Sequence, residues 1–534
     1  MSVPITHEST SVPRASKEKA PEPSAWRRQA IGIVAGLALA ILAFFLFPAS
    51  GVDQVNEVAS AAAAAKGEEF VPFTDLGLRV VFFAAVLLGT WWMTEAIPLA
   101  ATALLPLVIF PAFQVASFKE VAAPYASDTI FLFMGGFMLA LAMQKWNLHR
   151  RIALGVVLLV GVQPRRLILG FMIATGFVSM WVSNTATAVV MLPIGLSVLN
   201  LVAGLVGGID KVKKFSSGLM LSIAYAASIG SVATIIGTPP NALLVATLSE
   251  NYGINIGFGQ WMLVGAPLAV VFMGVAWWLI AFVLFKPEID EIPGGRELIG
   301  EQWKELGRMS RGEILVAIVF VAAALAWVFV PIVLDVTGSE LNISDSLIAM
   351  VAAAILFLVP ADLTSGKRLL DWKAANELPW DVLLLFGGGL SLSAMFSKLG
   401  LSLWIGEQAK GLGALPIVVI VAAVSTLVIF LTELTSNTAT AAAFLPIMGG
   451  VATGIGITSD NPMNVMLLVV PVALAATFAF MLPVATPPNA VAYGSGYIRI
   501  GDMAKTGLWL NLAGIVLITA AVLLIGVPVF GLTL

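Results

Sequence analysis

Ser183-Asn184-Thr185-Ala186-Thr187-Ala188 and Ser436-Asn437-Thr438-Ala439-Thr440-Ala441 are one polar phrase written twice in apolar surroundings. Each copy follows a long apolar run and precedes a proline, Pro193 or Pro446. A second phrase recurs as Gly237-Thr238-Pro239-Pro240-Asn241 and Ala485-Thr486-Pro487-Pro488-Asn489. Four polar breaks, paired two and two within apolar segments, describe a duplicated unit whose halves build one site together.

Composition sets the solvent. The chain has 534 residues, 59% hydrophobic and only 11% charged, whereas a soluble protein carries about a quarter charged residues. Repeated stretches of about twenty apolar residues make it an all-α polytopic membrane protein rather than a β-barrel. A net charge of −3 argues against a nucleic-acid partner. With no cysteine and two histidines, a disulfide framework and a thiolate- or His-rich metal site are excluded. Residues 1–28 open the chain without the pattern of a signal peptide and read as a polar, disordered cytoplasmic tail.

The two halves align along their length. Asp128-Thr129-Ile130-Phe131-Leu132-Phe133-Met134-Gly135-Gly136 matches Asp381-Val382-Leu383-Leu384-Leu385-Phe386-Gly387-Gly388-Gly389 at an offset of 253 residues, which the Ser-Asn-Thr phrases share. The Pro-Pro-Asn phrases are 248 apart. Short, Gly/Pro-interrupted apolar pieces at matching places in two halves point to a transporter site. Segments 167–206 and 414–455 are therefore predicted to be re-entrant hairpins, and 216–250 and 464–498 single broken spans. Lys and Arg set the orientation. With the N-terminus cytoplasmic, every basic residue lies inside except Lys66, Arg79, Lys119, Lys398 and Lys410. The span from Asp128 then runs inward and that from Asp381 outward, so the repeats are inverted and the C-terminus is extracellular. Lys286 to Arg311 is a polar cytoplasmic linker with a surface helix expected around 297–308.

A hairpin tip inside a membrane leaves backbone groups without helical partners. Ser, Asn and Thr suit such a tip because they cap the helix that follows. Capped N-termini present free N–H donors and partial positive charge, which favour a carboxylate. Two facing tips would take one carboxylate each of a small dicarboxylate, while the leftover carbonyls suit Na⁺. Asn184 and Asn437 can serve both ligands, since an amide carries an acceptor and a donor. No Lys or Arg falls in or beside the four phrases, so bound metal cations are the natural counter-charge and coupling ion.

A single Ser/Asn/Thr cluster is often only helix–helix glue; two identical copies, each paired with a Thr-Pro-Pro-Asn break, favour binding. Close helix packing accounts for Gly135-Gly136 and Gly387 to Gly389. Asp128 and Asp381 read as helix caps. Glu433, three residues before the second tip, is an intramembrane carboxylate and so a functional candidate. Either a buried pairing with a hydroxyl or amide, or a role in cation binding, would account for it. Its repeat counterpart is the apolar Met180. An intramembrane enzyme would need a nucleophile–base pair or metal ligands. The spans hold no His-Glu-x-x-His, no Asp pair and no Walker A loop.

At these residues the chain resembles the divalent anion/sodium symporter (DASS) family, which includes bacterial Na⁺/dicarboxylate and mammalian Na⁺/citrate transporters. The likeness covers nearly everything after residue 29. It implies a homodimer in the lipid bilayer, with about eleven transmembrane helices and two re-entrant hairpins per protomer, working as an elevator. A scaffold part (29–146 and 313–397) would flank a transport part (147–285 and 398–534), the linker being 286–312. Carried over, one Na⁺ site would use Ser179, Ser183, Asn184 and Gly237, and another Thr432, Thr435, Asn437 and Ala485. Substrate would meet Ser183, Asn184, Thr185, Thr238 and Pro239 from one half, and Ser436, Asn437, Thr438, Thr486 and Pro487 from the other. The expectation is Na⁺-driven uptake of succinate, fumarate or malate across the plasma membrane, with at least two Na⁺ per dianion. Dicarboxylate exchange, or Na⁺-coupled transport of citrate or sulfate, is the alternative.

Overall fold

The computed structural model describes residues 23–67, 69–161, 163–292, 295–339, 341, 343–362 and 366–534. Residues 1–22 of the expected disordered tail lie outside the described residues. The rest of that tail is helical, because α1 (Pro23–Leu46) starts with a proline, whose fixed φ suits a first helical turn. There follow α2 (Gly51–Lys66), α3 (Asp75–Thr94), the short α4 (Leu99–Thr102), α5 (Pro106–Ala112) and α6 (Phe118–Ala122), then α7 (Asp128–Lys145), α8 (Leu148–Val160), α9 (Pro164–Ser179), α10 (Asn184–Val206), α11 (Lys213–Ser231), α12 (Pro239–Tyr252) and α13 (Phe258–Trp278). The linker carries α14 (Gly295–Glu305), close to the expected surface helix.

The second half runs α15 (Arg311–Thr337), α16 (Asp345–Leu358), α17 (Trp372–Ala375), α18 (Trp380–Lys398), α19 (Leu401–Ala409), α20 (Ile417–Thr432), α21 (Asn437–Gly454), α22 (Met466–Thr477), α23 (Pro487–Gly494), α24 (Ile500–Ala520) and α25 (Val527–Phe530). Helices α7 to α13 thus recur in order as α18 to α24. Among the described residues there is no strand, only an isolated Pro360–Arg368 bridge. Eight helical stretches of the described chain are long and apolar enough to cross a membrane, and four shorter apolar ones accompany them.

The centre of the molecule is made by the two broken helices. Every residue of α11 from Phe215 onward is buried, and so is all of α22. Both are apolar or small on every face, the pattern of a helix surrounded by others. The halves interlock there. Helix α11 packs on α23 of the other half as well as on α9, and α12 packs on α21 and α22. Glycine lets neighbouring helices close in as expected. A Cβ on Gly135 of α7 would lie 2.7 Å from the Ala349 backbone in α16, and one on Gly388 of α18 would lie 2.4 Å from the Ala103 carbonyl.

At the linker, Arg151 of α8 donates to Glu313 (2.9 Å), Leu306 O and Gly307 O (both 3.1 Å). Glu313 also completes a capping box with Ser310 that starts α15. Asp128 and Asp381 are not the caps they were read as. Ser127 and Pro379 hold the cap positions, and the two carboxylates sit in the first turn, where they meet the positive end of the helix.

These contacts separate two glycines by sign. Gly135→Val forces a side chain into the α16 backbone and should destabilise by about 2 kcal/mol. At Gly89 of α3 a Cβ meets nothing within 4 Å, so Gly89→Ala should stabilise by up to about 1 kcal/mol through helix propensity. Thermal melting of the purified protein would show the first shift downward and the second upward.

Candidate functional site

Each hairpin tip is a short interruption between helices with an oxygen cluster behind it. In the first, α9 ends at Ser179 and α10 starts at Asn184, with Ser183 as N-cap accepting from Ala186 N (3.3 Å). Ser179 Oγ lies 3.0 Å from Asn184 Oδ1 and 2.7 Å from the Ala227 carbonyl of α11. In the second, α20 ends at Thr432, whose Oγ1 lies 2.7 Å from Asn437 Oδ1 and 2.9 Å from the Ala476 carbonyl of α22. A hydroxyl has one proton and here faces two acceptors, so three oxygens converge on each point with one proton among them. Such a donor set fits a small hard cation.

The tips are not identical. Ser436 holds the N-cap position of α21 but makes no side-chain cap bond. Instead the Thr435 and Thr440 hydroxyls pair at 2.6 Å, and Thr440 donates to the Ser436 carbonyl (3.0 Å). Local side chain–backbone bonding of this kind competes with capping. The expectation that both serines cap holds for Ser183 alone.

The two helix breaks are closed by their asparagines. Asn241 Nδ2 donates to the Val232 and Thr234 carbonyls (3.3 and 2.9 Å), and Asn489 Nδ2 donates to those of Ala479 and Leu482 (3.0 and 3.1 Å). In both, Oδ1 is buried without a partner. Thr486 caps α23 by accepting from Asn489 N, whereas Thr238 makes no cap bond and lies 3.4 Å from the Thr477 hydroxyl of the other half. Each broken helix restarts with two prolines, which have no N–H to offer. The N–H donors free to meet an anion are therefore those of the tips, at the first positions of α10 and α21. Gly237 is held close on both sides, since a Cβ there would lie 2.2 Å from the Ser231 carbonyl and 3.0 Å from that of Met180.

All four phrases line one cavity of about 1420 Å³. Ser183, Asn184, Thr185, Thr238, Pro239, Ser436, Asn437, Thr438, Thr486 and Pro487 are all on its wall, as are Gly237, Thr435 and Ala485. Ser179 and Thr432 lie behind it, fully buried, and reach it through the two asparagines. Its wall also carries Gln29 of α1, Glu95 just past α3, Gln144 of α7, Glu377 just before α18 and Asp381 in the first turn of α18, all of them exposed except the half-buried Gln144. No Lys or Arg lines it among the described residues.

Glu433 is buried and fully engaged. It accepts from the backbone N–H of Phe480 (2.7 Å), Met481 (2.9 Å) and Leu482 (3.2 Å) and from Asn511 Nδ2 (2.7 Å). Of the two readings left open for it, the amide pairing is present. Thr234 was not foreseen. Its hydroxyl donates to the Met180 carbonyl and accepts from Gly237 N (3.0 Å), joining the first tip to the first break. Its counterpart is Leu482, so the repeat gave no sign of it. The Ala227 and Ala476 carbonyls carry no side-chain signal either.

The comparisons of sequence agree on the family. Residues 69–532 match the sodium:sulfate symporter transmembrane region. A sodium-dependent dicarboxylate transporter SdcS of Staphylococcus saprophyticus is 44% identical over 464 residues, covering 86% of this chain and 88% of that protein. A protein of the same name from Staphylococcus aureus is 42% identical, with 86% and 88% covered. Two solved structures share the fold at low identity. The YdaH transporter of Alcanivorax borkumensis has a TM-score of 0.52 at 15% identity, covering 95% of this chain and 99% of that one. The MtrF pump of Neisseria gonorrhoeae has 0.53 at 11%, covering 86% and 97%.

Thr234→Val tests the local architecture. It leaves Met180 O and Gly237 N unpaired in a buried place, at about 1–3 kcal/mol for each lost partner. The melting temperature should fall, while Thr426→Val, at an exposed hydroxyl bonded only to its own helix, should leave it nearly unchanged.

Proposed function

The chain belongs to the divalent anion/sodium symporter family and is a transporter, and from that premise we propose that it couples inward Na⁺ movement to uptake of a C4-dicarboxylate such as succinate, fumarate or malate. The observation that carries the reading is the convergence of all four repeated phrases on one cavity without a basic residue, backed by two equivalent oxygen clusters. The sodium and dicarboxylate in the names of the staphylococcal relatives support it.

One carboxylate sits against the N–H groups and side chains of Ser183, Asn184 and Thr185, the other against Ser436, Asn437 and Thr438. Thr238 and Thr486 add hydroxyls, and Pro239 and Pro487 an apolar wall for the methylenes. One Na⁺ lies among Ser179, Ser183, Asn184 and Gly237, the other among Thr432, Thr435, Asn437 and Ala485. Two cations neutralise the dianion where low dielectric makes an uncompensated charge costly. Two donor sets on separate tips suit a diacid with separated charges better than compact sulfate.

The rest of the reading follows the same frame. About eleven spans and two re-entrant hairpins lie in the plasma membrane, with the N-terminus cytoplasmic and the C-terminus outside. The transport part moves as an elevator against a scaffold that holds a homodimer. In that orientation Gln29, Glu95, Gln144 and Asp381 are all at cytoplasmic helix ends, so the cavity faces inward.

In proteoliposomes, an inward Na⁺ gradient should stimulate labelled succinate uptake several-fold; uptake indifferent to Na⁺ would overturn symport. Fumarate and malate should compete well, citrate and sulfate poorly. Asn184→Ala and Asn437→Ala should each raise the half-saturating concentrations of both succinate and Na⁺ by about tenfold, the equivalent of about 1.4 kcal/mol. A variant that weakens succinate alone would refute the shared use of the asparagines.

A further inference from the structure

The two breaks differ in length, and a carboxylate closes the longer one. Helix α11 runs to Ser231 and α12 restarts at Pro239, whereas α22 stops at Thr477 and α23 restarts only at Pro487. The second break is thus two residues longer. The backbone N–H groups of that break lie among apolar helices, where unpaired donors are costly. Three of them, on the consecutive residues Phe480, Met481 and Leu482, point at the Glu433 carboxylate. Successive N–H groups turned to one point form an anion-binding nest, and the anion here is a side chain of the same chain. All four partners of Glu433 are donors, Asn511 included.

The bonds continue toward the cavity. The Leu482 carbonyl accepts from Ala485 N (3.2 Å) and from Asn489 Nδ2 (3.1 Å). Ala485 lines the cavity. Glu433 directly follows Thr432, so the carboxylate joins the tip helix to the break across the second oxygen cluster. The first half makes the same join with neutral groups, the Met180 carbonyl and the Thr234 hydroxyl.

We propose that Glu433 is a positioning residue for the second cation site: by clamping residues 480–482 it sets the backbone that carries Ala485 against Thr432 and Asn437. The two Na⁺ sites are then unequal. Only the second depends on an internal carboxylate, although Glu433 does not touch the ion. The inference rests on the Na⁺ sites of the preceding subsection.

The test is the melting temperature of the purified full-length protein against Na⁺ concentration, without substrate, with choline holding ionic strength constant. A ligand that binds only the folded state raises the melting temperature by mass action, so the wild type should show a Na⁺-dependent rise. Glu433→Gln should move the Na⁺ concentration at which that rise sets in upward by about tenfold. Asn511→Leu, which removes one bond of four, should move it in the same direction by about threefold, and it carries the test if the glutamine variant does not purify. A uniform drop in melting temperature at every Na⁺ concentration, with the onset of the rise in place, makes the carboxylate merely structural and overturns the inference. No Na⁺ response in the wild type would refute the Na⁺ sites themselves, and this inference with them.

Discussion

A helix interrupted in an apolar interior must find partners for every backbone group it releases. That constraint organises the molecule. Four interruptions meet at its centre, and the surrounding residues are largely those needed to close them. Asn241 and Asn489 gather the freed carbonyls, Thr234 bridges one tip to one break, and Glu433 collects the freed N–H groups of the other. What faces the cavity is the start of α10 and of α21, with the side chains of Asn184 and Asn437. The chemistry of the site is the residue left after the structural demand has been met.

The interlocking of the repeats gives that centre its rigidity. Helices α11 and α22 are buried on all sides, and each broken helix packs on elements of the opposite half. The restarted helices are shared between the halves: α12 closes against α21 and α22, and α23 against α10 and α11. Small residues make the close approach feasible, as at Gly237, where a Cβ would meet backbone from two neighbouring segments.

Much of this was legible in the sequence because polar residues are rare in it. A Ser-Asn-Thr or Thr-Pro-Pro-Asn phrase stands out against apolar helices, and its repetition indicated both the break positions and the pairing of halves. Interactions made by backbone groups were not legible. The Ala227 and Ala476 carbonyls and the N–H groups of 480–482 carry no side-chain mark. Thr234 escaped for a different reason: its counterpart is the apolar Leu482, so the comparison of halves gave no sign of it, whereas the charge of Glu433 marked it in spite of its apolar counterpart Met180. Ser436 misled in the opposite way, since identity with Ser183 implied a cap that the Thr435–Thr440 pair displaces. Residues that differ between the repeats carry the structural work that symmetry hides.

The size of the cavity has a consequence for inhibitors. At about 1420 Å³ it exceeds the roughly 300–1,000 Å³ of ordinary ligand pockets, and with the proposed four-carbon diacid bound it would keep most of its volume empty. A molecule with a diacid head and a bulky polar tail would seat the head between the tips and place the tail among Gln29, Glu95 and Gln144. Any closed form of the site would exclude it, and a ligand that binds one form alone traps that form. Selective blockers of this protein can therefore be built by extension at one end of the diacid, with a neutral or cationic tail to match the carboxylates at the mouth.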